Sequence, residues 1–426
     1  MIEASIITIG DELLIGQVID TNGAWMSQEL NKAGIWVSRR VSVGDSWSGI
    51  WNCLDQELIS ADILLITGGL GPTADDITKP LLCKYFGGNL VVDPGALKNV
   101  KYIFETVLQR PMIDRNLRQA EVPDNCVVLQ NSRGTAPGMW FEKDSKIIIS
   151  LPGVPYEMKG LMTGEVIPRL AARFSLPAIS HRTLLVAGIG ESFLAEHIQG
   201  FEKSLPQHIK LAYLPNYGML RLRLTARGNI KDQVEKELEI PFNKLRLAVQ
   251  DWLVVDQDAT MQEAIGQLLV SKKLTLVTAE SCTGGTLAHL ITSVPGSSQY
   301  FVGSVISYAN RIKEKILGVK KETLDSFGAV SEQTVKEMAA GALRLLDADL
   351  VVATSGIMGP GGGKPGKPVG MVWIGVGDRH NIMAEKMQFR FDRQRNIDLT
   401  STFALNLLRK FILNGGGESG PQIRKK

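Results

Sequence analysis

The residue whose position best suits covalent chemistry is a serine that precedes two glycines. Ser281 lies in TAESCTGGT (278–286), directly after an apolar run that predicts a strand. Thr283, Gly284 and Gly285 are predicted to begin the helix that follows. The unpaired N–H groups of a helix N-terminus can stabilise an oxyanion, so a serine at this junction is a candidate nucleophile for acyl transfer. A serine before a helix is also a common N-cap, and the motif alone favours that role.

A serine nucleophile needs a base, and a second motif offers candidates. His289 is excluded, because it lies about 12 Å away along the same predicted helix, too far to accept the serine proton. SYANRIKEKILGV places Tyr308, Asn310 and Lys313 at a strand end and on the helix that follows. A lysine can act as a base when burial or a neighbouring charge lowers its pKa. Alternatively, Lys313 belongs to a solvated cationic face of this helix.

The chain has four cysteines, which are widely separated and form no CxxC pair. Their spacing indicates neither a zinc site nor a disulfide framework and is typical of a reducing compartment, so we expect a cytoplasmic protein. Cys282 is an alternative nucleophile, because a helix N-terminus lowers the pKa of a thiol. Burial as a small apolar side chain is the commoner role of such a cysteine.

A glycine-rich loop near the N-terminus is the second candidate for chemistry. GGLGPTADDIT (68–78) follows the predicted strand DILLIT and precedes a predicted helix, where backbone N–H groups can form an anion cradle. The cradle positions are Gly68, Gly69, Gly71 and Thr73. Asp75 and Asp76 would repel a bare pyrophosphate, so a divalent cation that bridges carboxylate and phosphate explains them better. Alternatively, Thr73 and the two aspartates only cap the helix.

The order of apolar runs and helical patterns predicts an α/β protein in three parts. Residues 1–172 alternate strand and helix patterns, which predicts a largely parallel sheet. Residues 180–255 predict a small α+β module, with leucines at every second position of YGMLRLRLTARG. Residues 258–414 predict a second α/β domain. Residues 415–426 are too polar and glycine-rich to pack, which predicts a flexible tail.

Length and composition agree with an enzyme of more than one domain. The chain has 426 residues, more than the roughly 250–300 at which single cores stop growing. Its 47 basic and 44 acidic side chains leave a net charge of +3, which does not predict direct nucleic-acid binding. No stretch approaches the roughly 18 uninterrupted apolar residues of a membrane helix, so we expect no membrane association.

Several motifs together resemble the CinA family of competence and damage-inducible proteins, over almost the whole chain. GDELLIGQVIDTN, GGLGPTADDIT, NLRQAEVP, GTAPG and LPGVPYEM resemble its N-terminal domain, which is similar to molybdopterin-binding and adenylating proteins. GIGES fits its middle module. AESCTGG, SYAN with Lys313, GAVSEQT, GIMGPGG and KPVGMVW resemble its C-terminal deamidase domain. The motifs occur in the family's order, which makes the resemblance specific.

The resemblance implies that the C-terminal domain hydrolyses the carboxamide of nicotinamide mononucleotide to nicotinate mononucleotide and ammonia, without a cofactor. Ser281 is then the nucleophile, with N-capping as a secondary role, and Lys313 and Tyr308 complete the catalytic set. Substrate contacts are implied for Cys282, Thr283, Gly284, Gly285, Asn310, Gly359, Pro360, Gly361, Gly362 and Arg393. The family usually has a glycine where Phe391 stands and another arginine shortly after, so this chain departs from the pattern near Arg393.

For the N-terminal domain, the resemblance implies ADP-ribose pyrophosphatase activity, which yields AMP and ribose 5-phosphate with Mg²⁺, Mn²⁺ or Co²⁺. Candidate metal ligands are Asp75 and Asp76, together with Asp11 and Asp45, which follow two predicted strands. Two alternatives stay open: a non-catalytic nucleotide- or pterin-binding module linked to competence, and a molybdopterin adenylyltransferase-like enzyme. The resemblance also implies a homodimer.

Overall fold

The structure, a computed structural model, describes residues 2–216 and 218–416. Most of the predicted tail, residues 417–426, lies outside the described residues. The chain divides into two compact units, Met1–Ser180 with Ala226–Glu237 and His181–Thr225 with Leu238–Lys426. Within the described ranges, no helix combines the length and the apolar character that a membrane crossing needs.

Over the described residues, the N-terminal α/β region contains eight strands and eight α-helices, besides short 3-10 and π-helical segments. Its strands are β1 (Glu3–Ile9), β2 (Trp36–Val43), β3 (Ile63–Thr67), β4 (Leu90–Val92), β5 (Glu121–Pro123), β6 (Val127–Leu129), β7 (Gly138–Lys143) and β8 (Lys146–Leu151). Its helices are α1 (Asp11–Leu14), α2 (Thr21–Lys32), α3 (Trp47–Ser60), α4 (Thr78–Phe86), α5 (Pro94–Lys101), α6 (Asp114–Leu117), α7 (Pro155–Leu161) and α8 (Ile167–Arg173). Six strands form one sheet of order β2-β1-β3-β8-β7-β6, parallel from β2 to β8 and antiparallel beyond.

The inner parallel strands β1, β3 and β8 are apolar on both faces, because core packs against each side, whereas the edge strand β2 is largely exposed. Ile6 and Leu65 belong to one buried cluster, whereas their neighbours Ile7 and Leu64 belong to another. Burial on two faces removes the polar alternation of a half-exposed strand and leaves continuous apolar runs. The predicted strands in ASIITIG, WVSRRVSVG, ADILLITGG and KIIISLPG are β1, β2, β3 and β8, which confirms them. The antiparallel β6 and β7 were not predicted; β6 has three residues, and β7 ends on the exposed Glu142 and Lys143.

The middle module has a four-stranded sheet of order β10-β11-β9-β12. Its elements are β9 (Ala178–Ala187), α9 (Glu191–His197), α10 (Gln199–Lys203), β10 (Ile209–Asn216), β11 (Met219–Gly228), α11 (Lys231–Ala248) and β12 (Leu253–Val255). Leu220, Leu222 and Leu224 of β11 are all buried, whereas the residues between them are half-exposed. The period-2 alternation predicted for this segment is therefore confirmed.

The C-terminal α/β region has a five-stranded sheet of order β14-β13-β15-β16-β17. Its strands are β13 (Leu276–Glu280), β14 (Phe301–Ile306), β15 (Leu350–Gly356), β16 (Met371–Gly377) and β17 (Ile382–Gln388). Its helices are α12 (Met261–Lys272), α13 (Thr286–Thr292), α14 (Asn310–Leu317), α15 (Lys321–Phe327), α16 (Glu332–Leu346) and α17 (Arg393–Leu413). Strands β14, β13 and β15 are parallel, so their carboxyl ends meet at one edge, where ligands of α/β sheets bind. The predicted α/β fold class is confirmed.

Candidate active site

The serine of the AESCTGG motif lies at this edge, directly after the central strand β13. The Ser281 N–H donates to the Thr354 carbonyl of β15 over 3.0 Å. On the other side of β13, the Ser307 N–H donates to the Glu280 carbonyl over 2.7 Å. These two bonds fix the Glu280–Ser281 peptide unit to the segments on both sides of β13. The serine is largely buried, with only 9% of its surface exposed.

The buried side chain of Lys313, in α14, contacts the Ser281 hydroxyl. Its Nζ lies 3.0 Å from the Ser281 Oγ, 2.7 Å from the Ser307 carbonyl oxygen and 3.2 Å from the Tyr308 carbonyl oxygen. The lysine is 1% exposed, and this burial lowers the pKa of its amine. The alternative of a solvated cationic face is therefore wrong for Lys313, although Arg311 on the same helix is exposed.

The three oxygen partners match the three N–H bonds of an ammonium, and they also fit a neutral amine in the role of a base. A neutral lysine has two N–H bonds and one lone pair, whereas its ammonium form has three N–H bonds and no acceptor. Two carbonyls can receive the two N–H bonds, which leaves the lone pair for the Ser281 hydroxyl proton. The geometry meets the heavy-atom distance that proton transfer requires, about 2.6–3.2 Å.

The predicted N-cap role of Ser281 is wrong, because another side chain performs it. Helix α13 begins at Thr286, later than predicted, and its N-cap residue Gly285 makes no side-chain cap bond. The carboxylate of Glu280 accepts the N–H groups of the first turn, with distances of 2.9 Å to Gly285, 3.1 Å to Leu287 and 2.9 Å to Ala288. A charged acceptor from the preceding strand therefore satisfies this helix end.

The same contacts correct the predicted oxyanion site. The helix N-terminus was expected to supply free N–H groups, but Glu280 accepts them. In the turn that precedes α13, the N–H groups of Cys282 and Thr283 donate to no other described residue. Cys282 and Thr283 are themselves 6% and 2% exposed.

The side chains of Cys282 and Thr283 face the interior and not the substrate side. Cys282 lies in a core cluster, and burial raises the pKa of its thiol to about 12, so it stays protonated at neutral pH. This argues against Cys282 as the nucleophile, because only the thiolate is reactive. The Thr283 hydroxyl donates to Glu280 over 2.7 Å and contacts the Thr354 hydroxyl at 2.8 Å. Any contact of these two residues with substrate would involve their backbone.

The glycines of the turn leave the approach to the serine open. Gly284 and Gly285 have φ angles of 61° and 103°, a region in which residues with a side chain are strained. A Cβ on Gly285 would also lie 3.0 Å from the Ile306 side chain, whereas nothing lies within 4 Å of one on Gly284. Gly284 is exposed, so a substrate can approach the backbone here.

Tyr308 and Arg393 form the exposed rim of this site. The Tyr308 side chain is 64% exposed, and its hydroxyl accepts a hydrogen bond from the Arg393 guanidinium over 3.3 Å. The same guanidinium donates to the Gly359 carbonyl over 2.8 Å. Other predicted contact residues are exposed nearby in sequence, namely Asn310, Pro360, Gly361 and Gly362. Arg393 thus links the Tyr308 hydroxyl to the Gly359 carbonyl. The Tyr308 carbonyl lies next to the Lys313 amine.

Two residues of this region were not predicted. Glu280 directly precedes the serine. The signal in the sequence is a carboxylate at the end of an apolar strand, a position where burial requires hydrogen-bond donors such as the N–H groups of a helix N-terminus. Asn396 is fully buried and donates to the carbonyls of Met358 and Phe391 over 3.0 and 2.9 Å. It ties the glycine loop to the start of α17, and nothing local in the sequence distinguishes it.

The N-terminal glycine loop is arranged differently from the predicted anion cradle. The N–H groups of Gly71 and Thr73 both donate to the Asp76 carboxylate over 2.8 Å, and the Thr73 hydroxyl donates to it as well. The Gly68 N–H donates to the Leu151 carbonyl over 3.2 Å. The prediction of an open cradle is therefore wrong for Gly68, Gly71 and Thr73, because acceptors within the protein already bind their N–H groups.

The alternative of a simple helix cap is also wrong. Helix α4 begins at Thr78, and its N-cap residue Ile77 makes no side-chain cap bond. Gly69, with a φ angle of 66°, instead accepts the Thr78 N–H on its carbonyl over 3.2 Å. Asp76 thus organises the loop before the helix and does not cap the helix itself.

Asp11 and Asp45 form a second acidic group in the same region. Each donates its backbone N–H to the carboxylate of the other, over 3.0 and 3.1 Å. Burial, with the charges of Asp11, Glu12 and Asp75, raises the pKa of Asp45. The described residues contain no group of three or more His, Cys, Asp or Glu side chains that could hold a metal ion by themselves.

Comparison with known proteins assigns each region to a family. The chain matches a family described as "Probable molybdopterin binding domain" over residues 5–172, the "Damage-inducible protein CinA KH domain" over 181–252 and the "CinA C-terminal domain" over 258–412. It is 44% identical to a CinA-like protein of Flavobacterium psychrophilum over 96% of this chain and 99% of that protein. It is also 44% identical to a CinA-like protein of Cytophaga hutchinsonii, over 96% and 98% of the two chains.

One solved structure matches part of this chain. A competence-damaged protein (CinA) superfamily protein from Klebsiella pneumoniae is 33% identical in sequence. The match covers 37% of this chain and 99% of that chain, with a TM-score of 0.36.

Proposed function

The chain belongs to the CinA family, and on that premise we propose that its C-terminal domain hydrolyses the carboxamide of nicotinamide mononucleotide. The products are nicotinate mononucleotide and ammonia. The observation that carries this proposal is the 3.0 Å contact between the buried Lys313 amine and the Ser281 hydroxyl. An amide needs a strong nucleophile and a proton donor for the leaving nitrogen, and this pair supplies both.

The reaction proceeds in two steps at these residues. The neutral Lys313 amine takes the Ser281 proton while the Oγ attacks the carboxamide carbon, and the resulting ammonium gives that proton to the departing ammonia. Water then attacks the acyl-serine ester with Lys313 again as the base, which releases the carboxylate and restores the hydroxyl. The N–H groups of Cys282 and Thr283 are the donors proposed for the oxyanion.

The rim is proposed to bind the phosphate and ribose of the substrate. Arg393 is a permanent cation that is already oriented by the Gly359 carbonyl and the Tyr308 hydroxyl. Gly361 and Gly362 of this loop are exposed and have no side chains, so a phosphorylated sugar can approach their backbone closely. In this role Tyr308 orients the arginine, in addition to the catalytic role that the family resemblance implies.

Product analysis tests this proposal. The purified protein is incubated with nicotinamide mononucleotide or with free nicotinamide, and ammonia and nicotinate products are quantified. We expect release from the mononucleotide and little from the free base, which lacks the phosphate and ribose. No ammonia release from the mononucleotide by a folded protein would refute the proposal.

For the N-terminal domain we propose metal-dependent cleavage of ADP-ribose to AMP and ribose 5-phosphate. Asp11, Asp45 and Asp75 supply the carboxylate oxygens that Mg²⁺ or Mn²⁺ prefers, and their mutual repulsion is the kind of charge that such a cation neutralises. Mg²⁺ is often held by one or two carboxylates together with substrate phosphates, which agrees with a site that is incomplete without substrate. The metal would neutralise the pyrophosphate. Asp76 is a weaker candidate ligand, because loop donors already occupy its carboxylate.

The alternatives for this domain are separated by three measurements. Formation of AMP from ADP-ribose with Mg²⁺, Mn²⁺ or Co²⁺ supports the pyrophosphatase. Binding of nucleotide or pterin in calorimetry without turnover supports a non-catalytic module linked to competence. Modification of a pterin that depends on ATP supports an adenylyltransferase-like enzyme. A cytoplasmic homodimer is also proposed, and sedimentation of the purified protein tests the dimer.

A further inference from the structure

We infer that Glu280 is a positioning residue, which holds the Ser281 hydroxyl against Lys313 by bonding the turn and helix that follow the serine. This inference rests on the proposed serine nucleophile. Glu280 is the last residue of β13 and is completely buried. Its carboxylate is the hydrogen-bond acceptor on which the turn from Ser281 to Gly285 and the first turn of α13 converge.

One carboxylate oxygen, Oε2, ties the turn to the helix. It accepts the Thr283 hydroxyl over 2.7 Å, the Gly285 N–H over 2.9 Å and the Leu287 N–H over 3.1 Å. The donors lie on both sides of the two glycines, which are the most easily deformed positions of the turn. Loss of this acceptor would therefore release the segment that fixes the serine.

The other oxygen and the main chain tie the same residue to neighbouring strands. Oε1 accepts the Ala288 N–H over 2.9 Å and lies 3.4 Å from the hydroxyls of Thr278 and Ser304. The Glu280 carbonyl accepts the Ser307 N–H over 2.7 Å, and the Ser307 carbonyl in turn accepts the Lys313 amine over 2.7 Å. Glu280 thus connects both members of the Ser281–Lys313 pair.

A buried carboxylate is costly unless hydrogen bonds and local dipoles compensate its charge. The N-terminus of α13 supplies this compensation with its N–H groups and its positive dipole end. Other helices of the same domain use cheaper caps, such as the Ser331 hydroxyl for α16. The use of a buried charge next to the nucleophile points to a need for rigidity at this turn.

The chain offers a matched control in Glu263, which also caps a helix. Its carboxylate accepts the Thr260 N–H and hydroxyl, both over 2.7 Å, in the capping box of α12. These contacts do not involve the serine turn. Glu263→Gln therefore removes a cap carboxylate without disturbing Ser281 or Lys313.

The test compares Glu280→Gln, Thr283→Val, Thr283→Ser and Glu263→Gln. Three quantities are measured per folded molecule: kcat and KM for ammonia release, the rate at which a fluorophosphonate probe labels Ser281, and the melting temperature. A displacement of about 1 Å in a reacting group can cost about 10²-fold in rate. We expect Glu280→Gln to lower kcat and labelling together by about that factor, with KM nearly unchanged.

The companion variants refine this expectation. Thr283→Val keeps the shape but loses one bond to the carboxylate, so a smaller fall in both rates is expected, about tenfold on the same scale. Thr283→Ser retains the hydroxyl, so kcat and the labelling rate should both stay close to the wild-type values. Glu263→Gln should change only the melting temperature. If Glu280→Gln does not fold, the pair at Thr283 decides the question by the same criteria.

A wild-type labelling rate in folded Glu280→Gln and Thr283→Val, with only a lower melting temperature, would overturn the inference. The probe separates this result from failure of the proposed function, because it does not depend on the substrate. If the wild type labels at Ser281 and Glu280→Gln slows labelling, but nicotinamide mononucleotide is not hydrolysed, the positioning role stands and the proposed substrate falls. Absence of both reactions in the wild type refutes both.

Discussion

Two loops that follow strands in this chain are both organised by a carboxylate, and the two carboxylates differ in burial. In each, a carboxylate accepts the N–H groups of its own loop: Glu280 before the serine turn and Asp76 in the N-terminal glycine loop. Glu280 is completely buried, whereas Asp76 is half-exposed and the five residues before it are exposed. The first carboxylate belongs to the core, and the second lies in a solvated loop.

The difference in burial changes what each loop can do. A buried carboxylate cannot exchange its donors for water or for a ligand anion without a large desolvation cost. The serine turn is therefore held in one arrangement, which suits a nucleophile. A half-exposed carboxylate can give up its donors to a phosphate at little cost, because water solvates the released charge. The N-terminal loop is therefore suited to a ligand that rearranges it.

The largest expected effect comes from removing the proposed nucleophile. Ser281→Ala should lower ammonia release from nicotinamide mononucleotide by at least about 10³-fold, because no other described side chain in the turn can form the acyl intermediate. Cys282→Ala is the control and should retain activity, since its thiol is buried and protonated. Loss of activity only in the cysteine variant would move the nucleophile by one residue.

The next effect concerns the base and its pH dependence. Lys313→Met should lower kcat by about 10²–10⁴-fold, the usual contribution of general base catalysis. In the wild type, kcat/KM should rise as pH increases, because only the deprotonated amine accepts the serine proton. Burial lowers the pKa of Lys313, so this rise should end below the ordinary lysine value of 10.5. A rate that falls with increasing pH over this range would contradict the assignment.

Lys313→Arg gives an independent check on the same residue. Arginine keeps the positive charge but does not lose its proton in proteins. If the site needs only a positive charge, Lys313→Arg supplies it and activity is retained. Retained activity would therefore argue against a base at this position.

In the N-terminal domain, the proposed metal site predicts an effect confined to one activity. Asp45→Asn removes one carboxylate of the pair that Asp11 and Asp45 form. We expect a loss of metal-dependent AMP formation from ADP-ribose of about 10²-fold, a typical cost of disturbing a metal site. Ammonia release by the other domain should be unchanged. Equal loss of both activities would indicate general unfolding, which a melting curve detects.

The smallest effect is expected at Asp76. It directly tests the comparison between the buried Glu280 and the half-exposed Asp76. Asp76→Ala releases the N–H groups of Gly71 and Thr73, so the loop could offer them to phosphate. We expect KM for ADP-ribose to change by only about threefold, within the range of an exposed hydrogen bond. A loss of turnover as large as that of Asp45→Asn would instead make Asp76 a metal ligand.

The sequence predicted the elements of the fold well where local signals are strong. Continuous apolar runs identified the inner parallel strands β1, β3, β8, β13 and β15, because burial on two faces leaves that pattern. The strands β6 and β7 were not predicted, since β6 has only three residues and the apolar part of β7 is limited to Met139–Phe141. The start of α13 was placed too early, because Gly284 and Gly285 form a turn and do not continue the helix.

The sequence predicted which residues belong to the candidate site better than it predicted the contacts between them. Ser281 and Lys313 were selected from separate motifs, and the structure brings them to 3.0 Å, while their catalytic roles stay a prediction. The cap was assigned to the wrong residue, because a serine and the preceding glutamate are equally near the helix in sequence. Only the side of the strand on which each side chain points decides between them.

The sequence by itself determined the residue types available for chemistry and the order of strands and helices, because turn chemistry and hydrophobic periodicity are local properties. The tertiary structure decided which groups are buried. It placed the Lys313 amine under the serine, enclosed the Cys282 thiol in the core and used Glu280 as the helix cap. Burial depends on packing between segments that are distant in the chain, and burial controls both the pKa values and the rigidity of this site.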